Sequence, residues 1–290
     1  MVLSTKTPSD VEVLSQFIEL NQPLVAITGA GVSAASGIPT YRDDSGAWQH
    51  SNPIQHQDFV TQASARQRYW ARSLAGWPAV AGSEPNQTHR AMKSLEDLAL
   101  CKLLITQNVD RLHQRAGHRQ VIDLHGRLDR VHCVDCQNEI ERNVMQEQLL
   151  QENPGLDITI NHLAPDGDAD VADHIIKNFH VPVCDECGGM LKPSVVFYGG
   201  SVPKHTVNRI FDAITNTAGV LVVGSSLMVF SSFRFCRAAS RAGKPLAILN
   251  PGHTRADDLS ALKIEAPAET ILPEVVSLLR ANRPKVSVNL

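Results

Sequence analysis

Four of the six cysteines fall in two Cys-x-x-Cys pairs, Cys133-Val134-Asp135-Cys136 and Cys184-Asp185-Glu186-Cys187, the second followed by Gly188-Gly189. Each pair forms a knuckle that presents two thiolates. Two knuckles complete the tetrahedral shell of one zinc ion, which makes the expected site structural rather than open to substrate. Six cysteines are too few for a disulfide scaffold in 290 residues, and a redox Cys-x-x-Cys normally occurs once, near a thioredoxin-like pattern that this chain lacks. Cys101 and Cys236 sit in apolar runs and read as buried fillers.

A second chemical signal is Gly29-Ala30-Gly31-Val32-Ser33-Ala34, which leads into Ala35-Ser36-Gly37-Ile38-Pro39 directly after the apolar run Leu24 to Thr28. Glycines there permit a tight turn and let backbone N–H groups approach a pyrophosphate at a helix amino terminus. The same pattern also serves wherever a strand turns closely into a helix. An ordinary Rossmann dehydrogenase would place an acidic ribose ligand about 20 residues further on, and neither strand nor carboxylate stands there. Gly224-Ser225-Ser226 and Asn250-Pro251-Gly252 end two other apolar runs. Ligands of open parallel sheets bind beyond the carboxyl ends of the strands, so the three ends together predict one crevice.

Two further polar groups end strands. Gln107-Asn108-Val109-Asp110 follows the run Lys102 to Thr106, and Leu124-His125-Gly126 closes the run Val121 to Leu124. A histidine titrating near 6.5 suits proton removal at neutral pH. Taken singly, it is equally a satisfied structural residue, and Asn108 and Asp110 are equally suited to capping the helix that begins there.

The elements that would position these groups are short apolar strands at Leu24 to Thr28, Lys102 to Thr106, Gly219 to Val223 and Leu246 to Leu249. Val195 to Phe197 is a further candidate strand. Helical spacing is expected over Ser9 to Leu20, Gln87 to Leu98, Lys204 to Thr215, Ser231 to Ala242 and Thr270 to Arg280. Apolar strands alternating with helices predict an α/β fold, a Rossmann-like parallel sheet with helices on both faces. Two stretches break the alternation, Tyr41 to Gly82 and Asp129 to Leu191, and both read as insertions that build a smaller lobe. The expected partition is a nucleotide-binding domain of residues 1–40, 83–128 and 192–290, a loop and helical insertion of 41–82, and a zinc module of 129–191. A helical excursion near Ile140 to Glu152 must separate the knuckles.

A chain of 290 residues with 43% hydrophobic side chains can bury one sizeable core. Its net charge of −3 and pI near 6.4 give no basic face for nucleic acid, and no stretch approaches the ~20 apolar residues of a membrane span. The amino terminus, Met1 to Asp10, carries neither a signal core nor an Arg-rich transit pattern, so the expected compartment is the cytoplasm, or the mitochondrial matrix for a processed form.

Read together, these motifs resemble the sirtuin family over roughly Asp10 to Leu279. Besides the segments already named, the resemblance rests on Lys192-Pro193-Ser194-Val195-Val196-Phe197-Tyr198-Gly199, Val223-Gly224-Ser225-Ser226-Leu227 and Ile248-Leu249-Asn250. The chain is most similar to class II, particularly the mitochondrial sirtuin-four branch, through Pro53-Ile54-Gln55-His56, Arg66-Gln67-Arg68-Tyr69-Trp70-Ala71-Arg72 and Leu163-Ala164-Pro165-Asp166-Gly167-Asp168.

The resemblance implies NAD as cosubstrate, one structural zinc on Cys133, Cys136, Cys184 and Cys187, and removal of acyl groups from protein lysines, giving nicotinamide and O-acyl-ADP-ribose. It implies His125 as general base, with Asn108 and Asp110 also in the catalytic set. Gly29, Ala30, Gly31, Ser33, Ala34, Gly37, Ile38, Pro39 and Arg42 would hold the cofactor. So would Gln107, Asn108, Asp110, Gly224, Ser225, Ser226, Asn250, Pro251, Gly252 and Ala268. Val195, Val196, Phe197 and Tyr198 would meet the acylated-lysine peptide as a strand. Thr40-Tyr41, Gly200 and Ala268 depart from the common pattern. Tyr69 and Arg72 have the spacing of the pair that reads dicarboxylic acyl groups, but they stand in a different segment and that role is not carried over. Transfer of ADP-ribose to protein, hydrolysis of NAD, and a non-catalytic NAD sensor or scaffold are the competing readings. The sequence leaves the oligomeric state unknown.

Overall fold

The computed structural model describes residues 8–43, 47–49, 53–156, 166–169 and 171–283. Residues 1–7 and the Leu163-Ala164-Pro165 part of the class-II motif lie outside the described residues.

The strands run β1 (Leu24–Thr28), β2 (Cys101–Thr106), β3 (Val121–Asp123), β4 (Gly126–Cys133), β5 (Glu139–Glu141), β6 (Leu191–Val195), β7 (Gly219–Val223), β8 (Leu246–Leu249) and β9 (Leu262–Ile264). The helices are α1 (Asp10–Leu20), α2 (His56–Thr61), α3 (Ala63–Gly82), α4 (Gln87–Asp97), α5 (Leu112–Arg115), α6 (Arg142–Glu152), α7 (Asp173–Lys177), α8 (Lys204–Thr215), α9 (Phe230–Arg241) and α10 (Ala268–Ala281).

Six strands form one parallel sheet in the order β3-β2-β1-β7-β8-β9. Side chains alternate across it, as the pleat requires. Leu24, Ala26, Leu221 and Ala247 face Leu14, Met92, Leu95, Leu272 and Val275 of α1, α4 and α10. Val25, Ile27, Val220 and Ile248 face Ile210, Ile214, Phe235 and Ala239 of α8 and α9. With both faces covered, β1, β7 and β8 are buried at every residue, which explains why they read as unbroken apolar runs. Ser9 caps α1 through a reciprocal capping box with Glu12.

A second, three-stranded antiparallel sheet, β5-β4-β6, packs with α2, α3 and α6 around Phe59, Trp70, Leu74, Val131, Met145 and Leu149. Arg142 is buried there between Trp70 and Trp77, its guanidinium 5.5 and 5.1 Å from the two ring centroids, and it donates to the backbone carbonyl of Ser73.

The helix expected after β1 is a 3-10 helix, Ala30–Ser36, ended by Gly37 at φ 83°. Two expectations shift. The strand placed at Val195 to Phe197 ends at Val195 and belongs to the small sheet, because β4 holds its backbone from Cys133↔Leu191 to Gly126↔Val195. The excursion expected from Ile140 is a strand at its start, with α6 beginning only at Arg142. Among the described residues no helix is long and apolar enough to cross a membrane.

Candidate active site and metal centre

The strand order reverses between β2 and β7 on the two sides of β1, and the loops beyond their carboxyl ends open there, as at the switch point of a doubly wound sheet. Gly29 and Gly31 make the approach. Their N–H groups donate to Val223 O at 3.3 Å and Gly224 O at 3.0 Å. A Cβ would fall 2.8 Å from Ser225 at the first and 2.9 Å from Gly224 O at the second. Close contact between two backbone turns is therefore the reason for these glycines, and the N–H groups of Gly29 and Gly31 themselves are spent on it.

A hydrogen-bond chain ties the three strand ends together. Gln107 Nε2 donates to Thr28 O at 3.2 Å and to Ser225 Oγ at 2.7 Å. Asn108 Nδ2 donates to Gly29 O at 3.1 Å and Ser33 Oγ at 3.0 Å, and Ser33 Oγ donates to Asp110 Oδ2 at 2.7 Å. The other oxygen of Asp110 accepts from Leu112 N at 2.9 Å. Asp110 thus does serve the start of α5, while burial raises its pKa above the ordinary carboxylate value.

His125 stands between the two sheets, after β3 and before β4. Its Nδ1 lies 3.1 Å from Gln107 O and its Nε2 2.7 Å from Ser231 Oγ at the start of α9. A carbonyl only accepts, so Nδ1 carries the proton and Nε2 is left as the acceptor. Burial lowers the pKa to about 4, and Arg234 pushes the same way, which keeps the ring neutral at pH 7. Gly126 follows at φ 83°, and Val196 N donates to His125 O at 2.8 Å, fastening the ring's backbone to the strand beyond β6.

These groups line one cleft of about 1000 Å3, at the upper end of the range for a small-molecule site. Of the sequence-expected residues, Gly29, Ala30, Gly31, Ala34, Ile38 and Arg42 form one wall, with Gln107, Asn108 and His125 at its floor. Gly224, Ser225, Ser226, Asn250, Pro251, Gly252 and Ala268 form the far end, and Val195, Val196, Phe197 and Tyr198 the opposite side. Ser33 and Asp110 are buried behind Asn108, and Gly37 and Pro39 turn the chain behind Ile38; none of these four lines the cleft.

Sequence reasoning missed several lining groups. Trp48 lies under Arg42, ring centroid 4.9 Å from the guanidinium. Tyr69 and Asp166 also reach the wall, and Arg72 binds Asp168 at 2.5 Å, so the segment holding Tyr69 and Arg72 does border the cleft. Burial, with Asp168 beside it, raises Asp166 to about 6. Ser231 was legible only as the residue opening a helix after a strand-end loop, and no spacing rule links it to His125.

The four paired cysteines converge at the end of β4. Their Sγ atoms all lie within 4.8 Å of one another, with Cys133 to Cys187 at 3.5 Å and Cys136 to Cys184 at 3.7 Å. None is in a disulfide. Thiolates about 2.3 Å from a tetrahedral zinc stand roughly 3.8 Å apart, so the cluster fits one such ion. Gly189 is required beside it, because a Cβ would fall 2.3 Å from Asp135 Oδ2 and 2.8 Å from Cys133 Sγ.

Residues 29–231 match the model of the Sir2 family. An NAD-dependent protein deacetylase of Xanthomonas campestris pv. campestris is 52% identical over 252 residues, covering 87% of this chain and 86% of its own. One from Bordetella bronchiseptica is 48% identical over 269 residues, covering 93% and 98%. Among solved structures, a Sir2 complex with a deacetylated p53 peptide and 3′-O-acetyl ADP-ribose superposes with a TM-score of 0.76 at 26% identity, covering 93% of this chain and 98% of that one. A Sir2 homologue variant in complex with ADP-ribose gives 0.73 at 30% identity, covering 93% and 96%. Strand ends, histidine and thiolate cluster thus occur together in a chain whose likeness extends nearly end to end, and this chain belongs to the Sir2 family.

Proposed function

We propose that the protein is an NAD-dependent protein-lysine deacylase, with deacetylation as its basic reaction. One observation carries the reading. A neutral histidine lines the cleft together with the glycine turn on one side and the edge strand β6 on the other, an arrangement that would bring a bound nucleotide and a peptide together beside it. The deacetylase relatives and the peptide and ADP-ribose complexes support it.

NAD, when bound, supplies an electrophilic ribose carbon that exchanges nicotinamide for the acyl oxygen and a ribose that then receives the acyl group. The chain's own residues do the rest. Gly224, Ser225 and Asn250 would hold the adenosine half, and Gln107 and Asn108 the ribose and nicotinamide, with Asp110 shaping that pocket from behind through Ser33. Val195, at the end of the edge strand β6, and Val196 just beyond it would pair with an extended peptide. His125 Nε2 would take a hydroxyl proton, a contribution of about 10²- to 10⁴-fold. Zinc would act at a distance by fixing β4 and its partner strands.

In its finer detail the proposal assigns the enzyme to class II, near the sirtuin-four branch, on the strength of Pro53-Ile54-Gln55-His56 and the Tyr69 to Arg72 segment. It extends the substrates to longer acyl and lipoyl-type groups. It keeps the three-part domain division, residues 1–40 with 83–128 and 192–290, 41–82, and 129–191. Unpaired zinc-ligating thiols suit a reducing compartment such as the cytoplasm.

The test is nicotinamide release from NAD by purified protein with acetyl-, longer acyl- and lipoyl-lysine peptides, against the unacylated peptide. Release that requires an acyl group and vanishes in His125→Ala is the expected result. Release without acyl peptide would replace the reading with ADP-ribosyl transfer or NAD hydrolysis, and none at all with a sensor.

A further inference from the structure

His125 does not present a free lone pair to the cleft. With Nδ1–H held by Gln107 O, the ring's one acceptor is Nε2, and Ser231 Oγ occupies it at 2.7 Å. Neither partner is loosely held. The His125 backbone accepts from Val196 N at 2.8 Å. Ser231 lies in the first turn of α9, where Ser232 N and Phe233 N donate to Val229 O at 3.3 and 3.2 Å and Arg234 Nε donates to Ser231 O at 3.1 Å. Ser231 and His125 both line the cleft. A hydroxyl has one proton and two lone pairs, so an Oγ that donates to Nε2 can still accept from a group in the cleft.

We propose that Ser231 is the proton carrier between substrate and His125. A substrate hydroxyl gives its proton to Ser231 Oγ as the Oγ–H proton passes to Nε2. The freed oxygen pair forms the bond to the acyl carbon as that carbon's π bond to the lysine nitrogen opens and its pair moves onto the nitrogen. Charge balances as an imidazolium that keeps Nδ1–H on Gln107 O, and the serine is regenerated neutral. Ser231 is then a catalytic residue in its own right, and His125 acts through it. The inference rests on the deacylase reading above and specifies its proton path.

Three measurements test it. In the ligand-free protein, 15N spectra of labelled histidine, with His125 assigned by its loss in His125→Ala, should show a neutral Nδ1–H tautomer at pH 7. Its Nε2 resonance should move downfield in Ser231→Ala as the hydrogen bond is removed. An Nε2–H tautomer, or an unmoved resonance, overturns the proposal. In single turnovers with acetyl-lysine peptide, Ser231→Ala should slow acyl transfer about tenfold or more while first-turnover nicotinamide release persists. Ser231→Thr should restore the rate, and the double variant with His125→Ala should be no slower than His125→Ala alone. Acyl transfer unchanged in Ser231→Ala would overturn the relay. The third uses the unaltered enzyme and does not depend on a variant folding: the acyl-transfer rate should bow downward with deuterium fraction, as two protons in flight require, and a straight or flat line overturns it. Wild-type protein inert toward every acyl peptide would instead remove the deacylase reading itself, whereas wild-type turnover with an unaffected Ser231→Ala removes only the relay.

Discussion

Gly126→Ala is the sharpest perturbation available at the junction of the two sheets. The residue has φ 83°, and a Cβ would fall 2.1 Å from Ser194 O, 2.9 Å from Val195 Cα and 3.1 Å from Ser194 C. All three are backbone atoms of β6, so no side chain can rotate away. An L-residue in the left-handed region costs about 1–2 kcal/mol, and forcing two packed backbones apart adds about 1–3 kcal/mol. The total, about 2–5 kcal/mol, is a large part of the 5–15 kcal/mol that holds an ordinary domain together. Gly243 supplies the control, since it has φ 66° and nothing within 4 Å of its added Cβ, so Gly243→Ala should show the conformational part alone. Urea unfolding followed by tryptophan fluorescence should rank wild type, Gly243→Ala and Gly126→Ala in falling stability. Acyl transfer should fall at least about tenfold only in Gly126→Ala, whose clash disturbs the Val196 N to His125 O bond. Equal stability for the two variants together with normal turnover in Gly126→Ala would refute the reasoning.

Removing zinc with a chelator, or replacing Cys184 by serine, should lower the melting temperature and expose β4, β5, β6 and α6 to hydrogen exchange before the large sheet; an unchanged melting curve after metal loss would count against a structural ion. His89, His113 and His118 are buried together, and burial lowers His89 to about 3, His118 to about 4 and His113 well below 6.5. The unfolded chain therefore binds protons below pH 6.5 that the folded chain refuses. Stability should be full above that pH and fall toward pH 4 by up to about 1.4 kcal/mol per unit for each ring. Urea midpoints at pH 7 and pH 5 under saturating zinc check this, and His118→Gln should flatten the slope. Asp110→Ala leaves the Ser33 hydroxyl proton without its acceptor and removes the cap on Leu112 N, so it should cost about 1–2 kcal/mol in urea and raise KM for NAD about tenfold. Unaltered NAD kinetics would refute a role for Asp110 in shaping the pocket.

The central sheet was readable because burial on both faces imposes continuous apolar runs, and β1, β7 and β8 fall where those runs are. The helix α8 likewise matches its periodicity. The small sheet was harder. In β4 only Leu128, Val131 and Cys133 are buried, with a register shift between Gly126 and Val131, so neither helical nor strand periodicity survives in the sequence. Pro193 inside β6 further disguised a strand whose outer edge has no partner strand among the described residues. For the site, groups lying beside one another in sequence were legible, as in Gln107 to Asp110 and the cysteine knuckles. The pairing of His125 with Ser231, and that of Arg72 with Asp168, join elements that only tertiary folding brings together.

The sheet order also sets a schedule for biosynthesis. The middle strand β1 has β2 on one side and β7 on the other, and the whole small lobe is encoded between them. At about 5–20 residues per second, β1 waits roughly ten to forty seconds after its own synthesis before β7 exists to cover its second edge. During that interval the nascent chain displays an apolar, unpaired strand edge next to the glycine turn, a template for mispairing. The paired cysteines are completed within the same interval, so metal capture can finish the small lobe while the large sheet is still half built. In a cell short of zinc the newly made chains would then have both lobes open at once, and the yield of folded protein should respond to zinc supply during translation more steeply than finished protein responds to later withdrawal.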